Sequence, residues 1–266
     1  MNQFTQVSQS NVARLATASK SLLTNAITVA SSILLWVSAA SAEGDRGREG
    51  EDKFGRDQEG IRFVAAPESK AYGKSLKEWL GTYWRWTQAG QDPASSSVNG
   101  VRMMPLPVGQ QLSGTGTPED PSVFRGRLEI TIDSDTPFVL PLAAWLVERY
   151  NNGTPDDPII DNDIFLAGVS PRFTIDNRLV ISDRNEERFY ISPAPFTPIV
   201  NYPAPTSYGS VASTAFQSIG LVVRPLPVGV HVLHLDESYI LPGLFGTIFD
   251  NTWVITVKKA QRHRGW

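Results

Sequence analysis

Apolar residues recur along this chain with two different periods. Leu76, Trp79, Leu80, Tyr83, Trp86 and Thr87 fall at the 3.6-residue spacing of one helical face, while Lys77, Glu78 and Arg85 lie off it. Ser75 followed three positions later by Glu78 fits a capping box, and Ala89-Gly90 with Asp92-Pro93 ends the run. The pattern therefore predicts an amphipathic aromatic helix over about 76–89. Each large ring on its stripe can bury about 150–250 Å2, so the helix is expected to plug a hydrophobic opening in a sheet assembly.

Beyond about residue 100 the period changes to two. Leu128, Ile130 and Ile132 alternate with Arg127, Glu129, Thr131 and Asp133, the mark of a half-buried strand that stops at Ser134-Asp135. Phe138-Val139-Leu140 reads as a more fully buried strand. Phe173 to Ile175 and Leu179 to Ile181 flank Asp176-Asn177, a pair suited to a tight hairpin turn at positive φ. Ile219 to Arg224, Val230 to Leu235 and Trp253 to Lys258 complete the set. Prolines 193, 195, 198, 203 and 205 crowd a segment where a ladder strand is not expected, so it reads as an extended surface crossing. The segment Pro105-Leu106-Pro107-Val108-Gly109 recurs as Pro225-Leu226-Pro227-Val228-Gly229, which suggests two equivalent turns, each between consecutive strands. Many short strands with Pro- and Gly-rich connections predict a mainly β fold, an antiparallel β-sandwich of jelly-roll-like form with one N-terminal helix.

The region before this domain addresses the chain. Arg14 and Lys20 precede an uncharged run from Ser21 to Ala42, with an apolar patch at Ile33 to Val37 and small residues at Ala40 and Ala42. That layout is a cleaved secretory signal over 1–42, cut after Ala42. Ser21, Thr24, Asn25, Thr28, Ser31 and Ser32 dilute the run too far for a span of about 20 apolar residues, so no stable membrane insertion is expected after cleavage. Residues 43–60 are mostly charged, with Phe54 their only large apolar side chain, and composition predicts a disordered linker there. One domain over 61–259 and a basic tail over 260–266 follow. Secretion or a periplasmic location is the expectation.

Composition narrows the chemistry. The chain holds 24 basic and 27 acidic residues, a formal charge of −3, and no cysteine. A mild balance gives no electrostatic case for nucleic acid. Without thiols, cysteine nucleophiles, Cys zinc sites and iron–sulfur ligation are excluded, and the fold rests on burial and hydrogen bonding.

Several of these segments resemble one family. Tyr72-Gly73-Lys74-Ser75-Leu76-Lys77-Glu78-Trp79 followed by Tyr83-Trp84-Arg85-Trp86 is similar to the "YG.s..EW...WW.W" helix of an uncharacterised family of secreted bacterial proteins. Thr136 to Pro141 resembles its "gtplffP" strand, Ile175 to Leu179 its "idG.pv" hairpin, and Leu221 to Leu235 its "y.vmLkPLpPGtHtihf" segment. These pieces span about 72–257. Tyr83 stands where the family often has Trp, and the paired cysteines of many members are missing. The resemblance implies architecture and export, and no activity.

Candidate chemistry is sparse. His231 and His234 sit three apart on a strand and so face opposite ways, which prevents joint chelation. Each can pair with a carboxylate of a neighbouring strand, or with Asp236 or Glu237 as an acid–base pair at the sheet rim. Asp157, Asp161 and Asp163, in a loop rich in Asn and Asp, offer hard oxygen donors that suit Ca2+, the one metal the pattern suggests. Trp84 at the margin of the helical stripe, with Arg85 and Glu78 beside it, could stack a sugar ring. Gly73-Lys74-Ser75 lacks the first glycine of a P-loop, since Glu68 stands there, and no G-x-S-x-G or H-E-x-x-H occurs. The reading is a non-catalytic secreted or envelope-associated module binding carbohydrate or a small ligand. The alternatives are a secreted hydrolase or lyase acting on a polymer, and a calcium-stabilised structural domain.

Overall fold

The computed structural model describes residues 62–92, 96–107 and 109–260. The signal expected over 1–42, the linker expected over 43–60 and residues 261–266 of the expected tail lie outside the described residues. A helix α1 (Leu76–Gln88) precedes strands β1 (Ser97–Val98), β2 (Val101–Met103), β3 (Gly109–Ser113), β4 (Ser122–Asp133) and β5 (Phe138–Tyr150). A short helix α2 (Asn162–Gly168) leads into β6 (Val169–Ile175), β7 (Arg178–Ile181), β8 (Tyr190–Asn201), β9 (Ser210–Val223), β10 (Gly229–Leu241) and β11 (Phe245–Lys258). The strands form two sheets, of order β1-β2-β5-β9-β8 and β3-β4-β11-β10-β6-β7. Their packing makes the β-sandwich that the two-residue period predicts. Most pairs are antiparallel, and each sheet carries one parallel join, β2 to β5 and β4 to β11.

The core between the sheets is built from inward residues of both. Phe138, Leu140 and Trp145 of β5 meet Leu233, Leu235, Trp253 and Ile255 of β10 and β11. Trp145 stacks on Phe245 at 6.5 Å between centroids, and the Tyr239 hydroxyl donates to the Ala144 carbonyl across the gap at 3.3 Å. Trp253 Nε1 donates to the Pro105 carbonyl at 2.9 Å, so the first proline repeat is fastened to the core by an indole.

Helix α1 corrects one expectation. It does not seal the space between the sheets; it lies on the outer face of the five-stranded sheet, against β9, β5 and β8. There Trp79, Leu80, Tyr83, Trp84 and Trp86 join Val101, Met103, Val139, Phe196, Phe216 and Val222 in a second apolar cluster. The molecule thus has three layers. β9 is covered on both sides and is buried almost continuously along its length, as central strands covered on both faces are. Gly220 permits the close approach: a Cβ there would lie 2.6 Å from Leu80 Cδ2 and 2.9 Å from Pro141 Cα.

The local grammar of the helix matches the sequence. Ser75 accepts from Glu78 N at 3.3 Å while Ser75 N donates to Glu78 Oε2 at 2.7 Å, the two halves of a capping box. Every aromatic polar atom on the buried face finds a partner: Trp79 Nε1 the Ala71 carbonyl, Tyr83 Oη the Met104 carbonyl, Trp84 Nε1 the Ser218 hydroxyl, and Trp86 Nε1 the Asp92 carbonyl. Buried Tyr and Trp require such partners, because an orphaned donor costs about 1–3 kcal/mol.

Two other expectations meet their test here. The hairpin turn at Asp176-Asn177 forms, with φ of 52° and 62° at its two residues. The proline-rich segment is not a loop: β8 runs through Pro193, Pro195 and Pro198. It does so as an edge strand with register shifts against β9, where the missing N–H groups are tolerated. Both proline repeats link strands as expected, β2 to β3 and β9 to β10. Truncating a fully buried aromatic such as Trp79 to Ala should destabilise the protein by about 3–5 kcal/mol, read from the urea midpoint at unchanged slope.

Candidate functional site

β10 carries all four residues that the sequence offers as a catalytic set, and its pleat divides them. His231 and Glu237 face the core, while His234 and Asp236 face solvent. The four do not converge.

Each histidine instead takes an aspartate from elsewhere in the sheet. His231 Nδ1 lies 2.7 Å from Asp176 Oδ2 in the β6–β7 turn, and its Nε2 lies 2.8 Å from the Pro227 carbonyl of the second proline repeat. Asp176 Oδ1 also accepts from Val232 N at 2.9 Å. Both ring nitrogens are therefore used to hold a turn and a loop together, which is a structural duty. His234 Nε2 lies 3.0 Å from Asp250 Oδ1, and Arg125 Nε donates to Asp250 Oδ2 at 2.7 Å. Those bonds, that of His234 foremost, hold the Asp250 carboxyl below its ordinary range.

The outer face of the six-stranded sheet collects these groups in register. Arg172 of β6 stands opposite Asp236 of β10, Asp236 opposite Asp250 of β11, and Asp250 opposite Arg125 of β4. The result is one row of four charged side chains across four strands, with His234 reaching into it from the next row. Arg172 and Asp236 are exposed and bond to no other described side chain. Further along the same face of β10, beyond His234, Val232 and Val230 stand 40% and 64% exposed. The row was missed from sequence because its members come from four distant segments.

The remaining sequence candidates go elsewhere. Trp84 is only 6% exposed and bonded to Ser218, so it offers no ring face to a sugar; the margin of the helical stripe is covered by β9. Glu78 closes the capping box, whose Ser75 N–H, the strongest influence, lowers its pKa. Arg85 lies over the Phe196 ring at 5.1 Å. Asp161 caps α2 by accepting from Asp163 N at 2.9 Å, and Asp157 accepts from Glu148 N at 3.2 Å and from the Tyr150 hydroxyl at 3.0 Å. Among the described residues, no group of three or more His, Asp or Glu side chains is placed to hold a metal ion.

Glu148 and Glu237 are the most deeply buried carboxyls among the described residues. Glu148, at the end of β5, accepts from the Tyr202 hydroxyl at 2.7 Å and from Tyr208 at 3.3 Å, and the Tyr150 hydroxyl, shared with Asp157, lies 3.4 Å from it. Burial, then the adjacent Glu148 charge, raises the Tyr202 pKa far above its usual value. Glu237 is 1% exposed, and neither of its carboxyl oxygens has a hydrogen-bond partner among the described residues. Burial alone pushes its pKa up to about 8. The sequence offers it, like the adjacent Asp236, as an acid–base partner for the histidines at the sheet rim, and only the strand parity separates the two.

No protein-family model matches the chain, and no curated protein does. Among solved structures, the chain is similar to a cysteine protease inhibitor from Entamoeba histolytica, at 11% identity, over 50% of this chain and 86% of that one, with a TM-score of 0.20. A likeness that slight carries no argument.

Glu237 gives a pH prediction with a definite sign. Its folded pKa stands above the unfolded value of about 4.5, so the folded state holds its proton between those pH values while the unfolded state has lost it. Its contribution is complete below about pH 4.5 and is lost as pH rises through about 8. Glu237→Gln should remove that slope, so that variant and wild type diverge by a few kcal/mol between pH 5 and 9 in urea titrations. Parallel curves would show that Glu237 is solvated.

Proposed function

We propose that this chain is an exported, non-catalytic binding module that presents the outer face of its six-stranded sheet to a carbohydrate or a similarly polar small ligand. The observation that carries the reading is the row Arg172–Asp236–Asp250–Arg125 with His234 bonded into it. Such planar, charged groups hydrogen-bond strongly to hydroxyls, and the Asp250–Arg125 end of the row, with His234, is held in place before any ligand arrives. Arg172 and Asp236 are left with unused hydrogen-bonding capacity, and exposed Val230 and Val232 supply an apolar strip against which the C–H face of a sugar can rest.

The open setting argues against hydrolysis. His234 with Asp250 has the form of an oriented base, yet it stands on a broad sheet face with no wall to exclude water, and acid–base catalysis gains from a site that does. Export rests on the signal-like leader, and the resemblance to secreted bacterial proteins is consistent with it.

A glycan panel, followed by titration calorimetry on any binder, tests the proposal. Arg172→Ala and Asp236→Asn, at exposed positions free of structural bonds, should each weaken binding about 10- to 150-fold, as loss of a charged hydrogen bond worth about 1.5–3 kcal/mol does. Their melting temperatures should stay at the wild-type value. The absence of any binder, or variants that bind as wild type, overturns the reading. Turnover of a polymer that Asp236→Asn abolishes would install the hydrolase in its place.

A further inference from the structure

The inward face of the six-stranded sheet is not uniformly covered. Strand pairing sets out one row across it: Gln111 of β3, Phe124 of β4, Phe249 of β11, Glu237 of β10 and Pro171 of β6. Gln111 is exposed, Phe124 and Phe249 are half-buried, and Glu237 and Pro171 are buried. Burial thus deepens step by step from the β3 edge towards Glu237. The two phenylalanine rings stack at 5.8 Å between centroids and 26° between planes. They form an apolar wall that leads from solvent to an unpaired carboxyl.

The same corner gathers other unpaired oxygens. Thr247 and Asn251 flank Phe249 on β11, at inward positions two residues to either side, and both are buried. Thr247 Oγ1, Asn251 Oδ1 and both carboxyl oxygens of Glu237 lack partners among the described residues, whereas the large majority of buried polar atoms have one. Asn251 Oδ1 sits in the niche that Gly126 leaves, 2.6 Å from where a Cβ would stand. An all-oxygen set with one carboxyl repels anions and calls for a donor of positive charge. A single carboxylate balances one charge, and the aromatic wall favours an organic body over a hydrated metal ion.

We propose that this corner is a second binding site, distinct from the outer face, for a small organic amine. Its ammonium pairs with the Glu237 carboxylate, and its apolar body lies against Phe124 and Phe249. Phe249 stands directly beside Glu237 in register and turns aside to admit the ligand. A cation beside an aromatic face gains about 0.5–2 kcal/mol further. The exchange balances in charge: at neutral pH the carboxyl enters as the acid, the ammonium takes the place of its proton, and one H+ leaves to the buffer.

Benzylamine is the probe and benzyl alcohol its neutral counterpart, titrated calorimetrically at pH 7 in two buffers of different ionisation heat. The expected result is saturable benzylamine binding with close to one proton released per site. Benzyl alcohol should bind at least 10-fold more weakly. Glu237→Gln should weaken benzylamine at least 10-fold and abolish the proton release, while Arg172→Ala on the outer face leaves both unchanged. Phe124→Ala, at a half-exposed ring, should weaken binding several-fold and is the second variant should Glu237→Gln fail to fold. No saturable heat, binding without proton release, alcohol binding as tight as that of the amine, or affinity undiminished by these corner substitutions overturns the proposal.

Discussion

The structure depends on the double covering of β9. A chain without cysteine has no crosslink to stabilise a marginal sheet, so its strands must be held by burial. β9 lies between the six-stranded sheet on one side and the aromatic face of α1 on the other. Each cover serves a different cluster, and the strand's own side chains enter both: Ile219, Leu221 and Val223 turn to one, Phe216 and Val222 to the other. Fully burying side chains of this kind is worth about 1.5–3 kcal/mol each, so the central strand is where the two clusters add.

This arrangement has a consequence for function. The helix covers the outer face of one sheet, and among the described residues no comparable element covers the outer face of the other. β4, β11, β10 and β6 therefore present alternate side chains to solvent, and those side chains are largely charged or hydroxylic. The same pleat that buries Leu233, Leu235 and Tyr239 exposes His234 and Asp236 between them. The surface row and the apolar core are two readings of one alternation.

How much of this the sequence disclosed follows from the range of each interaction. The helix, its capping box and the Asp176-Asn177 turn depend on residues within a few positions, and spacing alone locates them. So does the split of His231 from His234, which needs only the period of two. Their partners were not legible: Asp176 is 55 positions from His231, and Asp250 reaches His234 only through the β10–β11 register. The destination of α1 was misjudged because an amphipathic stripe shows that a helix is covered without showing which sheet face covers it. β8 was misjudged because proline forbids a central strand and permits an edge, and edge position is a property of the assembled sheet. Trp84 was misjudged for a related reason, since a residue at the margin of a stripe is covered when the surface beneath it is as broad as β9 and its neighbours.

Glu148 and Glu237, each 1% exposed, together show why Glu237 is best explained by a ligand. Burying a carboxyl is costly unless its oxygens are bonded. At Glu148 three tyrosine hydroxyls from β5 and the segment between β8 and β9 converge on the side chain, so this fold can satisfy a buried carboxyl. At Glu237 the side chains directly across the neighbouring strands are Phe249 and Pro171, neither of which can donate. A leucine there would continue the run of Leu233, Leu235 and Leu241 at no polar cost. A bare carboxyl in that place, reached along two stacked rings from an open edge, destabilises the apoprotein. It is understandable if something carrying a positive charge completes it.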